Sequence, residues 1–191
     1  MKLDKESPKY KQSSPAPQLS MLSFILDLPN VCSLFGLLSA VLGIYFAVTG
    51  NIYYAVIGLV WAVFFDWLDG LIASKLKNRT DKHRQFGGQL DSLIDMVSFG
   101  VLPAMILLSY SGFNPWFLPG AFAIVGACAV RLSYFNVYGL SQSKCYTGLP
   151  VDNNGLIVAF AFIFENTVNK EFFSIALYFM IMLSVLLNLS S

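Results

Sequence analysis

The chain has 191 residues, of which 56% are hydrophobic, 15% are aromatic and only 12% are charged, and its formal net charge is +1. A water-soluble domain of this length has too little interior to hide so much apolar surface, so this composition excludes an ordinary soluble globule. Lipid is therefore the expected solvent, and no nucleic-acid partner is expected.

The N-terminal region separates into two predicted parts. Residues 1–16 are polar and lack the apolar core of a cleaved signal, so they are predicted to form a disordered cytoplasmic tail. Within residues 17–29, aliphatic side chains recur near helical spacing at Leu19, Leu22, Ile25 and Leu26. This spacing predicts a short amphipathic helix in the headgroup layer, the alternative being a ragged extension of the first span. Asn30 is expected to cap that span.

Six apolar segments follow, and together they are predicted to form one domain over residues 30–191. They cover residues 31–49, 52–65 (continuing to 73), 93–110, 116–137, 150–164 and 172–189. A membrane-spanning helix needs about 20 residues, and strands of a lipid-facing barrel would alternate polar and apolar residues, which these segments do not. The predicted fold is an all-α polytopic membrane protein with six transmembrane helices and a short N-terminal interfacial helix. The fifth segment is the shortest, with a continuous apolar core only at residues 156–164.

Basic residues are concentrated on one side of these segments. That side carries Lys2, Lys5, Lys9, Lys11, Lys75, Lys77, Arg79, Lys82, Arg84, Arg131 and Lys144, and the other side carries Lys170. By the positive-inside rule, both termini and the acidic motif described next face the cytoplasm, in the inner or cytoplasmic membrane of the cell. The run 75–84 is predicted to be a solvated loop attracted to anionic headgroups.

Four aspartates at the ends of two apolar segments are the candidate functional residues. Asp66 and Asp69 are three residues apart, and Asp91 and Asp95 are four apart, so each pair lies on one face of a helix. A single aspartate at a helix end is usually solvated or capping. Two regularly spaced pairs at the same membrane edge would repel each other unless hard divalent cations hold them. The pattern therefore predicts a metal site.

The aspartates belong to a longer pattern, Asp66-x2-Asp69-Gly70-x2-Ala73 followed by Gly87-x3-Asp91-x3-Asp95. This pattern resembles the signature of the CDP-alcohol phosphatidyltransferase family, whose members are six-helix membrane enzymes. Further segments at residues 98–104, 131–136 and 148–150 resemble the phosphatidylserine synthase branch of that family. The resemblance covers about residues 30 to 155.

The resemblance implies a displacement at phosphorus, in which an alcohol attacks CDP-diacylglycerol and CMP leaves. L-Serine is the favoured acceptor, and ethanolamine, choline, glycerol 3-phosphate and inositol phosphate are alternatives. The implied cofactor is Mg²⁺ or Mn²⁺, as two ions, and homodimers are usual among such proteins. The implied metal ligands are Asp66, Asp69, Asp91 and Asp95, with Asp95 also the catalytic base. The small residues Gly70, Ala73 and Gly87 would let the nucleotide phosphates approach the backbone.

The chain departs from the family pattern in two places. Ser74 and Lys75 follow the motif alanine, where the family usually has arginine, and both are candidate substrate-binding residues. Residues 151–155 contain Asp152, where serine-using relatives more often have apolar residues and proline. This carboxylate suits an aminoalcohol better than an acceptor that itself carries a carboxylate. Arg131 and Lys144 are the candidate cations for an acceptor carboxylate or a phosphate.

Two other classes of function are alternatives to an enzyme. In an ion or metal transporter, carboxylates would line a path across the bilayer and polar groups would lie at mid-depth in several helices. Here the carboxylates gather at one edge, which favours a reaction at the membrane surface. A catalytically inactive scaffold is disfavoured because every motif aspartate is present.

Overall fold

A computed structural model describes residues 20–76, 79–138 and 150–190, and within these ranges the chain is helical with no strand. The α-helices are α1 (Met21–Ile25), α2 (Leu28–Val48), α3 (Ile52–Lys75), α4 (Asp81–Asp95), α5 (Leu102–Tyr110), α6 (Leu118–Tyr138), α7 (Asp152–Ala161) and α8 (Lys170–Leu189). A π-helix (Met96–Val101) joins α4 to α5, and 3₁₀ turns occupy Pro115–Phe117 and Phe162–Thr167. The predicted all-α class is confirmed.

Within the described residues, five helical segments are long and apolar enough to cross a membrane, so the chain is a polytopic membrane protein. They are Leu28–Val48, Ile52–Lys75, Asp81–Tyr110, Pro115–Tyr138 and Lys170–Leu189. The predicted fifth segment instead forms the ten-residue α7 and its 3₁₀ continuation, so the count of six is not confirmed.

The third span begins at Asp81, well before the predicted start at residue 93. Thr80 provides the start signal, because its side-chain oxygen accepts a hydrogen bond from the backbone N–H of His83. Lys75 is the last residue of α3, and residues 81–84 belong to α4, so the predicted solvated loop at residues 75–84 is wrong for these five residues. Asp91 and Asp95 consequently lie well inside a continuous helix.

The expected cap at Asn30 is also wrong. Helix α2 begins at Leu28 with Pro29 in its first turn, where the missing N–H of proline costs nothing. Asn30 is 2% exposed, and its Nδ2 donates a hydrogen bond to the carbonyl of Phe24 at 2.7 Å. The Phe24 ring stacks on Phe86 of α4 at 4.9 Å between centroids. Asn30 thus ties α1 to α2, and α1 packs beside α4.

Helices α2 and α3 pack with their backbones in contact. A Cβ atom on Gly58 would lie 2.8 Å from the carbonyl oxygen of Ser39 and 2.9 Å from Cα of Gly43. On α2 the buried face carries small residues at helical spacing, namely Gly36, Ala40, Gly43 and Ala47. Small residues permit such close approach of membrane helices. The result brings the end of α3, which carries Asp66 and Asp69, against the start of α2.

Helix α7 is short but is held at both ends by polar contacts. At its start, Nδ2 of Asn188 donates to Oδ1 of Asn154 at 2.8 Å, and both side chains are buried. Beyond its end, the hydroxyls of Tyr53 and Tyr110 donate to the Glu165 carboxylate at 2.7 and 2.9 Å. These contacts fix α7 against α3, α5 and α8.

The close approach of α2 and α3 makes a stability prediction. Gly58→Ala forces the backbones of α2 and α3 to shift apart. We therefore expect it to lower the free energy of unfolding by about 1 to 3 kcal/mol, measured as a lower thermal unfolding midpoint in detergent. Gly126→Ala is the matched control, because nothing lies within 4 Å of a Cβ there. Alanine should stabilise that helix position by up to about 1 kcal/mol. Equal midpoints for the two variants would contradict the packing described here.

Candidate active site

Three of the four motif aspartates form a compact cluster. Asp66, Asp91 and Asp95 each offer a carboxylate oxygen, and these oxygens all lie within 4.8 Å of one another. Asp69 lies one turn beyond Asp66 on α3 and accepts a hydrogen bond from the hydroxyl of Ser33 on α2. The structure thus brings together two pairs that lie on the consecutive helices α3 and α4.

No basic side chain of the described residues neutralises this cluster. Asp69 and Asp95 are only 7% and 9% exposed. The one ion pair in residues 20–76, 79–138 and 150–190 joins Arg79 to Asp27, and it does not involve a motif aspartate. Buried carboxylates without a countercharge are costly, so the cluster calls for a cation from solution.

The side chains around the cluster fit a hard divalent cation. A small cavity of about 10 Å³ is lined by all four carboxylates together with Ser33 and Ser98. The hydroxyl of Ser98 is 1% exposed and has no hydrogen-bond partner among the described residues. An orphaned hydroxyl beside carboxylate oxygens suits the all-oxygen surroundings of a hydrated Mg²⁺ or Mn²⁺ ion.

On one side of the cluster lies a cavity of about 240 Å³, named here the Gly87 cavity. Its walls include the motif residues Asp69, Gly70, Ala73 and Gly87, together with Arg79 and Arg84. Ser74 and Lys75 are exposed and line neither this cavity nor the one described below. The basic side chains of this cavity are therefore Arg79 and Arg84, which are not positions of the motif.

Arg79 is a site residue that the sequence analysis missed. Its Nε donates to Oδ2 of Asp27 at 2.8 Å, and the side chain is 11% exposed, so the predicted solvated position of Arg79 is wrong. A Cβ atom on Gly87 would lie 2.7 Å from Nη2 of Arg79 and 2.9 Å from Oδ1 of Asn30. The absence of a side chain at Gly87 thus admits the guanidinium. No local pattern signals this contact, because Asp27 lies 52 positions away.

On the other side of the cluster lies a second cavity of about 220 Å³, named here the Arg131 cavity. It is lined by Asp66, Asp91 and Asp95 and also by Arg131, Asn136 and Asp152. Asp91 lines both cavities, so the carboxylate cluster stands between them. Lys144, the other predicted acceptor cation, lies outside the described residues.

Hydrogen bonds orient the polar walls of the Arg131 cavity. The hydroxyl of Ser92 donates to Oδ1 of Asn136 at 3.0 Å, which links α4 to α6. The indole Nε1–H of Trp67 donates to Oδ2 of Asp152 at 3.2 Å, which links α3 to α7. Four helices therefore contribute to one polar cavity beside the carboxylates.

Comparison with known proteins gives a consistent family. The family model described as CDP-alcohol phosphatidyltransferase matches residues 26–187. An archaetidylserine synthase of Methanothermobacter thermautotrophicus is 35% identical over 131 residues, which is 68% of this chain and 55% of that protein. A CDP-diacylglycerol–serine O-phosphatidyltransferase of Helicobacter pylori is 30% identical over 143 residues, covering 72% of this chain and 58% of that protein.

A third relative has a length closer to that of this chain. The CDP-diacylglycerol–serine O-phosphatidyltransferase of Bacillus subtilis is 32% identical over 133 residues, covering 68% of this chain and 71% of that protein. The chain thus spans little more than half the length of the first two relatives. No solved structure matches the chain with significant similarity.

The carboxylate cluster makes a metal-binding prediction. We expect the purified chain to bind Mn²⁺ in detergent, and Asp91→Asn to weaken that binding at least about tenfold, since it removes a ligand oxygen from the cluster. The measurement is titration of free Mn²⁺ by electron paramagnetic resonance. Glu171→Gln, in the first turn of α8, removes a carboxylate remote from the motif and should leave the affinity unchanged. Equal affinities for both variants would exclude a metal site at the cluster.

Proposed function

Because the chain belongs to the CDP-alcohol phosphatidyltransferase family, we propose that it transfers the phosphatidyl group of CDP-diacylglycerol to the hydroxyl of L-serine and releases CMP. The observation that carries this proposal is that the motif carboxylates line two adjoining cavities, one with Arg79 and Arg84 and the other with Arg131 and Asp152. The printed names of the serine-using relatives support the choice of acceptor.

The two cavities suit the two substrates. The Gly87 cavity would take the cytidine diphosphate portion, because glycines admit phosphates close to the backbone and the guanidinium groups of Arg79 and Arg84 are matched to phosphate oxygens. The Arg131 cavity would take the acceptor. Since Asp91 lines both, the reacting phosphorus would lie next to it. The acyl chains of the lipid would remain in the bilayer.

The proposed reaction is a single displacement. The serine hydroxyl oxygen bonds to the β-phosphorus, the bond from that phosphorus to the oxygen of CMP breaks, and the hydroxyl proton passes to the carboxylate of Asp95. Asp95 is suited to this role because it lines the Arg131 cavity and is nearly buried.

The remaining motif carboxylates hold the cofactor in this proposal. Asp66, Asp69 and Asp91, with Asp95, would bind Mg²⁺ or Mn²⁺, as two ions. When bound, the metal supplies positive charge that neutralises the diphosphate and aligns it for attack. Ser33 holds the Asp69 carboxylate from α2, which limits its movement when the substrate enters.

A sixth crossing by residues 152–167 is part of the proposal. The ten residues of α7 span about 15 Å at helical rise, and the six-residue 3₁₀ segment adds about 12 Å. The sum approaches the hydrocarbon thickness of about 30 Å. With six crossings, both termini and the carboxylate cluster would face the cytoplasm. The predicted tail, residues 1–16, lies outside the described residues, as do residues 17–19 of the predicted interfacial helix over 17–29. We also propose that the chain forms homodimers.

A transporter is less well supported than an enzyme. The buried interior between the helices is mostly apolar, with Leu59, Phe99 and Ile106 completely buried, and its Asn154 and Asn188 side chains bond to each other. Asp66 and Asp69 lie in the second half of α3, and the Glu165 carboxylate near the start of that helix is already bonded by two tyrosines. This arrangement suits chemistry at one membrane surface.

The activity itself is the first functional prediction. We expect the purified chain in detergent with Mn²⁺ to release CMP from CDP-diacylglycerol when L-serine is added. Asp91→Asn should lower this rate at least about a hundredfold, the scale of a lost acid–base or metal contact. Asp95→Asn should still bind CDP-diacylglycerol while losing turnover, whereas Asp66→Asn should lose both.

The same assay, run with a panel of acceptors, can also contradict the proposal. The acceptor panel is serine, ethanolamine, choline, glycerol 3-phosphate and inositol phosphate. Release of CMP with another acceptor but not with serine would overturn the serine assignment and retain the family chemistry. No release with any acceptor, from protein that binds Mn²⁺, would overturn the proposed reaction.

Arg131 gives a prediction about the acceptor carboxylate. A two-pronged guanidinium contact is lost when lysine replaces arginine, so Arg131→Lys should raise the KM for serine about tenfold or more and leave the KM for CDP-diacylglycerol within about twofold. Arg84→Lys is the matched comparison from the Gly87 cavity, and it should raise the KM for CDP-diacylglycerol instead. An unchanged serine KM in Arg131→Lys would show that Arg131 does not contact the acceptor.

A further inference from the structure

We propose that Asp152 binds the ammonium group of the acceptor and thereby selects amino-bearing alcohols over acceptors that lack an amino group. This inference rests on the proposed function and deepens it, because it assigns a second charged contact in the same cavity. Asp152 lies outside the family motif, at the first position of α7.

Only one of the two oxygens of the Asp152 carboxylate has a hydrogen-bond partner among the described residues. Its Oδ2 accepts the hydrogen bond from Nε1 of Trp67, whereas its Oδ1 is buried and has no partner among the described residues. A buried carboxylate oxygen without a hydrogen bond loses its hydration without compensation. A ligand that brings N–H donors and positive charge into the Arg131 cavity would satisfy it.

The cavity carries charges of both signs that do not neutralise each other. Arg131 and Asp152 both line it, and no ion pair joins them in the part of the chain that the structure describes. An amino acid presents the complementary set, a carboxylate for Arg131 and an ammonium for Asp152. Charge-assisted hydrogen bonds of this kind are shorter and stronger than neutral ones. The third group of serine, its hydroxyl, is left for the motif carboxylates.

Asp152 is distinct from the metal cluster and is held rigidly. The oxygens that approach within 4.8 Å of one another belong to Asp66, Asp91 and Asp95, and Asp152 is not among them. The start of α7 is anchored two residues later by the buried Asn154–Asn188 contact. Trp67 follows Asp66 directly on α3, so one helix orients both the metal ligand and the ammonium contact. Specificity contacts act best when such surrounding groups fix them.

The test is Asp152→Asn, which removes the charge and keeps an oxygen that can accept from Trp67. We expect the KM for serine to rise about tenfold or more while the KM for CDP-diacylglycerol and the Mn²⁺ affinity stay within about twofold. Asp81→Asn, which removes an exposed carboxylate from the first turn of α4, is the control and should leave all three values unchanged. Thermal midpoints of the variants check that each is folded.

A substrate pair tests the same contact without any mutation. 3-Hydroxypropanoate is serine without its amino group, and the unmutated enzyme should prefer serine by about tenfold or more in kcat/KM. Equal use of both compounds would overturn the role of Asp152, as would an unchanged serine KM in Asp152→Asn. A loss of Mn²⁺ affinity in that variant would assign Asp152 to the metal centre instead. If no acceptor supports CMP release, the proposed function fails and this inference falls with it.

Discussion

The constraint on which the structure depends is the burial of like charges at the edge of a membrane. Carboxylates of α3 and α4 lie within a few ångströms of each other, and no basic residue of the described segments neutralises them. Removing such charges from water is affordable only where a cation and hydrogen-bond donors meet them. The hydroxyl of Ser33 donates a hydrogen bond to Asp69, and the unpartnered hydroxyl of Ser98 lies in the same small cavity as the carboxylates.

Packing of the apolar helix faces sets the distances between the polar side chains of this cluster. Gly43 and Gly58 let the backbones of α2 and α3 touch, which brings the end of α3 to Ser33. The π-helix that starts directly after Asp95 buries Phe99 and precedes Pro103, a residue that cannot donate a backbone hydrogen bond to the carbonyl four residues earlier. Wide π turns often occur beside functional residues. Here one adjoins the proposed base.

In the proposed reaction, a lipid and a small soluble molecule would meet at the carboxylate cluster, whose members line both cavities. One cavity offers glycines and guanidinium groups suited to a diphosphate, and the other offers charges of both signs suited to an amino acid. Asp91 borders both, so the two substrates would approach the same carboxylates from opposite sides. An attacking and a leaving oxygen in line with the phosphorus need such an arrangement.

The sequence by itself determined the all-α membrane class and the aspartates of the site, because hydropathy and the spacings of Asp66, Asp69, Asp91 and Asp95 are local properties of the chain. Only the tertiary structure decided which other residues join them. Arg79 meets Asp27 across 52 positions, and Trp67 meets Asp152 across 85. Such contacts leave no periodic signal, since they depend on how the helices pack. For the same reason, the sequence did not show that the predicted fifth span forms only the ten-residue α7 and a 3₁₀ segment, which depend on Asn188 and on two tyrosines for their position.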